Sequence, residues 1–214
     1  MLIGRNHHMK KIGILLTAIC LAVACNAKPK EADTTSTQSV PHKKVLVAYF
    51  SRTGEQYGVG NIQEGNTAIV AKMIAQKTGG DLFEIKLKQD TYPTQYRPLT
   101  QVAKKEKKSN ARPEVSAVVP NFEEYDFVFL GCPNWWGDLP MVMYSFMEQY
   151  NWSGKHIAPF VTHEGSGLSS IDKSIANTTK AAVLSGLSIY GHEAQNDREN
   201  TSLKVASWLT KLGF

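Results

Sequence analysis

Six consecutive apolar residues, Val45-Leu46-Val47-Ala48-Tyr49-Phe50, run into a hydroxyl- and glycine-rich loop, Ser51-Arg52-Thr53-Gly54. An apolar run this short suits a strand buried on both faces, the situation of a parallel sheet. A second polar cluster, Gly65-Asn66-Thr67, then opens an amphipathic helix. Hydroxyls, a glycine turn and the free N–H groups of a helix start together make a place for a phosphate. The loop therefore points to a phosphorylated ligand.

Beyond this loop, strand and helix patterns alternate. Ile69, Val70, Met73 and Ile74 recur at helical spacing, and Gly79-Gly80 stops that helix. Residues 81–87 alternate as a second strand, and 126–131, with Phe127-Val128-Phe129-Leu130, read as a third. Helices are predicted over 141–150, 168–180 and 196–212. A fourth strand is expected over 157–162, although Pro159 argues against a central position there. A weaker fifth strand, over 183–189, is interrupted by Gly186. In the long stretch 88–121, Tyr96, Leu99, Val102 and Ala103 suggest a helix whose solvated end is Lys104-Lys105-Glu106-Lys107-Lys108. Alternation of this kind in one domain means a parallel sheet with helices on both faces.

The formal charge of +5 owes much to residues 1–24, which hold Arg5, Lys10 and Lys11 and no acid. Without them 21 basic residues face 19 acidic ones, too balanced a ratio to argue for nucleic acid, and no basic strip interleaves with aromatics. Lys10-Lys11 precede an apolar stretch, 12–24, too short to span a bilayer and suited to an export signal. Small residues before a cysteine, Leu21-Ala22-Val23-Ala24-Cys25, resemble a bacterial lipoprotein signal. That resemblance implies cleavage before Cys25, a lipid on its side chain, and an exported, membrane-anchored lipoprotein of the bacterial periplasm or outer membrane. The alternative is an unlipidated secretory signal. Residues 25–43 read as a flexible tether and 44–214 as the folded domain. Only Cys132 falls in that domain, after a buried strand, as a small core hydrophobe.

Three loops after strand ends carry unusual chemistry. Ser51, Thr53, Gly54, Asn66 and Thr67 can donate to phosphate oxygens, and Asn66 or Thr67 can equally serve as a helix N-cap. In Pro133-Asn134-Trp135-Trp136-Gly137, two adjacent indoles must be buried or stacked on something flat. Adjacency sends them in different directions, and the space left by Gly137 favours Trp136 for the flat ligand. Thr162, His163, Glu164, Gly165 and Gly167 form a third loop in which glycine allows close backbone approach. His163 and Glu164 are neighbours in sequence and seldom could face each other as an acid–base pair. In a doubly wound sheet such loops converge on the topological switch point. Phosphate at one end and a flat ring at the other describe a mononucleotide.

At these residues the chain resembles the flavodoxins. The resemblance rests on Tyr49-Phe50-Ser51-Arg52-Thr53-Gly54 with Gly65-Asn66-Thr67, on Asn110-Ala111-Arg112-Pro113-Glu114, on Phe129 through Gly137, and on Pro159 through Gly167. It implies a doubly wound, five-stranded parallel sheet of order 2-1-3-4-5 and bound FMN. Ser51, Thr53, Asn66 and Thr67 would hold the phosphate, Trp135 or Trp136 would cover the isoalloxazine, and 162–167 would line its pyrimidine side. Two features depart from that pattern. Residues 55–64 split the phosphate loop, and the domain is not acidic as electron-carrying flavodoxins usually are.

The leading expectation is an FMN-binding electron-transfer protein, serving a redox partner protein or a small electron acceptor. It needs no general base, and no catalytic side chain or metal-ligand set is assigned. One alternative is an FMN-dependent NAD(P)H:quinone-type reductase. Another is a flavin-free lipoprotein of the same fold.

Overall fold

The structure, a computed structural model, describes residues 44–214. The export signal over 1–24, Cys25 and the whole tether over 25–43 lie outside the described residues.

The strand expected first, β1 (Val45–Tyr49), is buried at every position. Its alternate side chains serve two different cores. Leu46 and Ala48 pack on one face of the sheet, and Val45, Val47 and Tyr49 on the other. That two-sided demand is why no polar residue interrupts the run. Hairpin β2 (Gly54–Gln56) and β3 (Gly60–Ile62) follows, then α1 (Asn66–Thr78), which stops at Gly79 with φ +69°. Next come β4 (Asp81–Glu84), α2 (Tyr96–Ser109), β5 (Phe127–Pro133), α3 (Met141–Met147) and β6 (His156–His163). The chain closes with α4 (Ile171–Thr179), β7 (Ala182–Val183), β8 (Leu187–Tyr190), α5 (Gly191–Asn196) and α6 (Arg198–Lys211).

The sheet runs β4-β1-β5-β6-β7 with β8 also on β6, all neighbours parallel. This is the expected 2-1-3-4-5 order, with one correction: the fifth strand is two strands, so the sheet has six rather than five. Pro159 explains the break. The carbonyl of Ile157 accepts from Leu184 N–H at 2.8 Å, so odd-numbered residues of β6 face the fifth strand. Pro159 faces the same way and has no N–H to offer. There the pairing lapses, between Ile157↔Val183 and Phe160↔Leu187. A proline is thus tolerated inside the sheet because its neighbour is interrupted opposite it.

Residues 85–121 leave the sheet and return. Lys88 N–H donates to Glu114 C=O and Ser116 N–H to Lys86 C=O, each at 2.8 Å, so the excursion that carries α2 is tied at its base. Arg112 then grips Glu148 with two parallel bonds of 2.8 Å. Such a fork fixes orientation as well as distance.

Candidate functional site

The insertion at 55–64 does not split the phosphate loop in space. β2 and β3 pair as a hairpin, and their ends bring Ser51 back to the start of α1. Ser51 Oγ accepts from Ala68 N–H at 3.1 Å, so this serine, and not Asn66 or Thr67, provides the side-chain cap; the N-cap position itself is Gly65. A hydroxyl that accepts one bond still has its own proton to donate. Only glycine fits at 65, where a Cβ would lie 2.1 Å from Ser51 Oγ and 2.6 Å from Arg52 O. The first amides of α1 therefore open beside Ser51 with nothing between them, an arrangement suited to an anion.

Ser51, Asn66, Thr67 and Thr162 line one end of a cavity of about 410 Å³. Thr67 and Thr162, both buried, share a hydroxyl–hydroxyl bond of 2.7 Å that joins the first and third loops. Arg52 also lines this end. Its guanidinium contacts Asp90 and donates to Tyr92 C=O at 3.2 Å, while its buried Nε has no hydrogen-bond partner. Its charge is met by Asp90 and its buried Nε is closed to a ligand, so Arg52 holds the loop rather than offering a free donor.

The other end is aromatic. Residues Trp135 and Asp138 exchange both backbone bonds, at 3.0 and 3.2 Å, around Trp136 (φ +57°) and Gly137 (φ +76°). Two left-handed central residues are the pattern of a type I′ turn, which suits Asn and Gly and strains a tryptophan. Strain of that kind clusters at functional sites. The two indoles diverge, as their adjacency requires. Trp135 packs edge-on against Phe50 and Tyr92, with ring centres 5.7 and 5.5 Å away. Trp136 is half exposed, its Nε1 donating to Thr100 C=O at 3.0 Å.

Asn134 and Asp138 hold this turn in place. Asn134 donates to Gly167 C=O and Ser169 Oγ and accepts from Gly137 N–H, each at 2.9 Å. Its amide lines the cavity yet is occupied at both ends in positioning the loops. Asp138 Oδ1 receives Tyr144 hydroxyl at 2.9 Å and Ser174 hydroxyl at 3.0 Å, tying the turn to α3 and α4.

In the third loop, Glu164 faces His192 rather than His163. Its carboxylate accepts from His192 N–H at 2.8 Å and lies 2.7 Å from His192 Nδ1. His163 Nδ1 accepts from Gly165 N–H at 2.9 Å, which leaves the ring proton on Nε2. Burial lowers the pKa of His163, favouring the neutral ring. Gly191 is packed so closely that a Cβ would fall 2.2 Å from Asn66 Nδ2 and 2.8 Å from Glu164 Oε1, which locks α5 behind both loops.

Of the residues expected at the site, Ser51, Asn66, Thr67, Pro133, Asn134, Trp135, Trp136, Gly137, Thr162, His163 and Glu164 line this single cavity. Thr53, Gly54, Gly165 and Gly167 do not. Thr53 is exposed, and Gly54, at φ +89°, turns the chain into β2 against Thr94. Cys132 is buried, which pushes its thiol pKa up and leaves it inert.

From sequence the long segment 88–121 could be expected as a substrate wall, but none of the residues of this wall was named as a site residue, and the hairpin's share in it was not foreseen. Gln56 and Tyr57 from the hairpin, and Tyr96, Leu99, Thr100 and Ala103 from α2, also line the cavity. Tyr57 and Tyr96 lie 5.6 Å apart, and Glu55 accepts from Tyr96 N–H at 2.9 Å, so hairpin and α2 form one unit. The helical stripe of α2 was legible; which of its residues face the cavity was not.

The sequence model of a flavodoxin family matches residues 44–210. A search of curated proteins finds no significant match. Among solved structures, a flavoprotein candidate from Bacteroides uniformis is 25% identical, with 78% of this chain and 98% of that one covered at a TM-score of 0.62. Another, from Bacteroides eggerthii, is 27% identical, with 80% and 98% covered at a TM-score of 0.61. A flavoprotein from Lactobacillus acidophilus, solved in complex with FMN, is 19% identical, with 74% and 99% covered and a TM-score of 0.57.

Proposed function

The chain belongs to the flavodoxin family, and from that premise we propose that it is an FMN-binding redox protein that passes electrons to and from a partner. The observation that carries this reading is the cavity itself: anion donors at one end, aromatic walls at the other, built by loops at the carboxyl ends of β1, β5 and β6. FMN has the same polarity, a phosphate and a flat ring. It supplies the redox chemistry when bound, and the protein's part is to hold and orient it and to shield it from water. Ser51 and the first amides of α1 serve the phosphate. Trp136 serves the ring, and the loop at 162–166 serves its polar edge.

The purified full chain is expected to be yellow and to bind FMN more tightly than riboflavin. Ser51→Ala removes a bond to a charged group, worth about 1.5–3 kcal/mol, so FMN should weaken roughly tenfold or more while riboflavin changes little. Thr53→Ala, altering an exposed side chain outside the cavity, should leave both ligands unaffected. A colourless protein that binds neither flavin would leave the flavin-free lipoprotein as the better reading. The aromatic wall made by exposed Tyr57 and half-buried Tyr96 gives a second reading some support, that of a reductase accepting a planar substrate. Turnover of NAD(P)H with a quinone would favour it.

We also propose that the domain is exported and tethered by a lipid on Cys25. Lys10-Lys11, the apolar stretch and the small residues before Cys25 support this. Cys25→Ala should move the protein from the membrane fraction to the soluble fraction. A lipid contributes about 0.8 kcal/mol per buried CH₂, so the loss should be plain. Unchanged membrane association would end the lipoprotein reading.

A further inference from the structure

Charge on the described domain is nearly balanced but unevenly placed. α2 holds Arg97, Lys104, Lys105, Lys107 and Lys108 against one acid, Glu106. Glu106 is not spread on the surface: it is half-buried and accepts from Tyr92 hydroxyl at 2.6 Å. Lys107 has Asp138 at 3.5 Å. Among the described residues, Arg97, Lys104, Lys105 and Lys108 have no carboxylate within ion-pairing distance. Elsewhere many cations are matched, Lys72 and Arg198 with Glu64, Lys204 with Glu193, Arg112 with Glu148 and Lys88 with Glu114. Among the described residues, the unpaired surface lysines Lys77, Lys173, Lys180 and Lys211 are spread over α1, α4 with its C-cap, and α6 rather than grouped on one helix.

The spacing groups these charges. Positions 97, 104, 105 and 108 share one helical stripe, flanking the stripe of 96, 99, 100 and 103 that lines the cavity. Lysines near a helix C-terminus suit its dipole, which accounts for Lys107 and Lys108. The dipole does not favour Arg97 in the first turn, and it does not account for the missing acids. The stripe also borders the cavity mouth. Lys104 Nζ sits 5.1 Å above the Trp136 ring, and Lys107 Nζ donates to Trp136 C=O at 2.8 Å. Trp136 and Tyr57 stand exposed beside it. Exposed aromatics are enriched at protein-docking surfaces, and the lysines around them supply a charge that steers the encounter.

Resting on the FMN reading above, we propose that this face of α2 docks an acidic redox protein, which exchanges electrons with the flavin across the Trp136 edge. In each encounter one electron moves between the flavin and the partner's own redox group, and whichever arrives reduced leaves oxidised. The polarity is opposite to that of an acidic carrier that seeks basic partners. Complementary charge serves mainly to steer the encounter, so its signature is a salt-dependent association.

The test uses the full chain and the variant Lys105→Glu/Lys108→Glu, whose side chains touch neither cavity nor turn. The probe is a dye-labelled acidic [2Fe–2S] ferredoxin, with basic cytochrome c and phosphatidylglycerol vesicles as comparisons. Binding is read by fluorescence anisotropy, which does not require the flavin. At low salt the wild type should bind ferredoxin at least tenfold more tightly than cytochrome c. The variant should lose at least tenfold in ferredoxin affinity, with flavin spectrum and thermal unfolding unchanged, and the two should converge at high salt. Equal ferredoxin binding by wild type and variant overturns the proposal. So does a variant that loses only vesicle binding, which would assign the face to lipid headgroups. If the protein proves to hold no flavin, the FMN reading fails by its spectrum, while the ferredoxin binding still decides the docking face.

Discussion

Gly131→Ala is expected to be among the most destabilising single-methyl additions in this domain. Gly131 lies on β5 opposite Phe160 of β6, in the middle of the sheet. A Cβ there would fall 2.0 Å from Phe160 Cζ, with two further ring atoms at 2.2 and 2.6 Å. Phe160 is fully buried in the cluster that includes Phe129, Ile189 and Val205, so its ring has nowhere to go. Overpacking in a close-packed interior costs about 1–3 kcal/mol and occasionally more, and the contact here argues for the upper end or beyond. Against a typical net stability of roughly 5–15 kcal/mol, that is a large share. The displacement would also reach the ligand, because Gly131 precedes the Trp135–Trp136 turn by four residues on the same strand and loop. Phe160→Leu in the same chain should recover part of the loss. Thermal and denaturant unfolding of both single variants and the double variant would measure the coupling. Additive costs would show that the ring and the glycine do not constrain each other.

Trp135→Ala and Trp136→Ala should separate stability from ligand binding. Trp135 is held between Phe50 and Tyr92 against the core of buried residues. Truncating a tryptophan in a core costs about 3–5 kcal/mol; with part of its surface exposed, the lower figure is expected, with little change in redox potential. Trp136 presents a half-exposed ring to the cavity from a left-handed backbone. Removing it should weaken FMN about tenfold or more, since aromatic pairs contribute roughly 0.5–1.5 kcal/mol beyond their buried area. It should also restore flavin fluorescence. An electron-rich ring face disfavours an anionic reduced flavin beside it, so the potential of the second reduction step should rise. Trp136→Asn keeps a residue suited to the left-handed turn and discards the ring. It should lose affinity like the alanine variant while unfolding no earlier than wild type. If neither substitution at 136 alters affinity, fluorescence or potential, the ring of the ligand is not held by this turn.

The phosphate end shows how local residue chemistry and chain topology share the specification. Ser51 and Gly65 could be marked as loop and helix-start residues from sequence, because hydroxyls and glycine at those points have a local meaning. The function of residues 55–64 could not. They look like an interruption until β2 and β3 pair, and only then does Ser51 Oγ meet Ala68 N–H, 17 residues away. The pairing of Glu164 with His192 was invisible for the same reason. It joins residues 28 apart on different elements, and no periodicity encodes it.

The sequence by itself determined the parallel sheet, its strand order through the family resemblance, and the three loops at one end of it. Those properties follow from short-range patterns: β1 must be apolar at every position because both of its faces are covered, and Gly79 ends α1 because the next turn is left-handed. Tertiary structure alone decided which way side chains face once elements pack. It turned α2 so that Tyr96, Leu99 and Ala103 wall the cavity, and sent Trp135 inward and Trp136 outward. It left Thr53 out of the cavity lining and divided the fifth strand opposite Pro159. A helical stripe fixes that some surface is buried, and packing against distant residues fixes which surface that is.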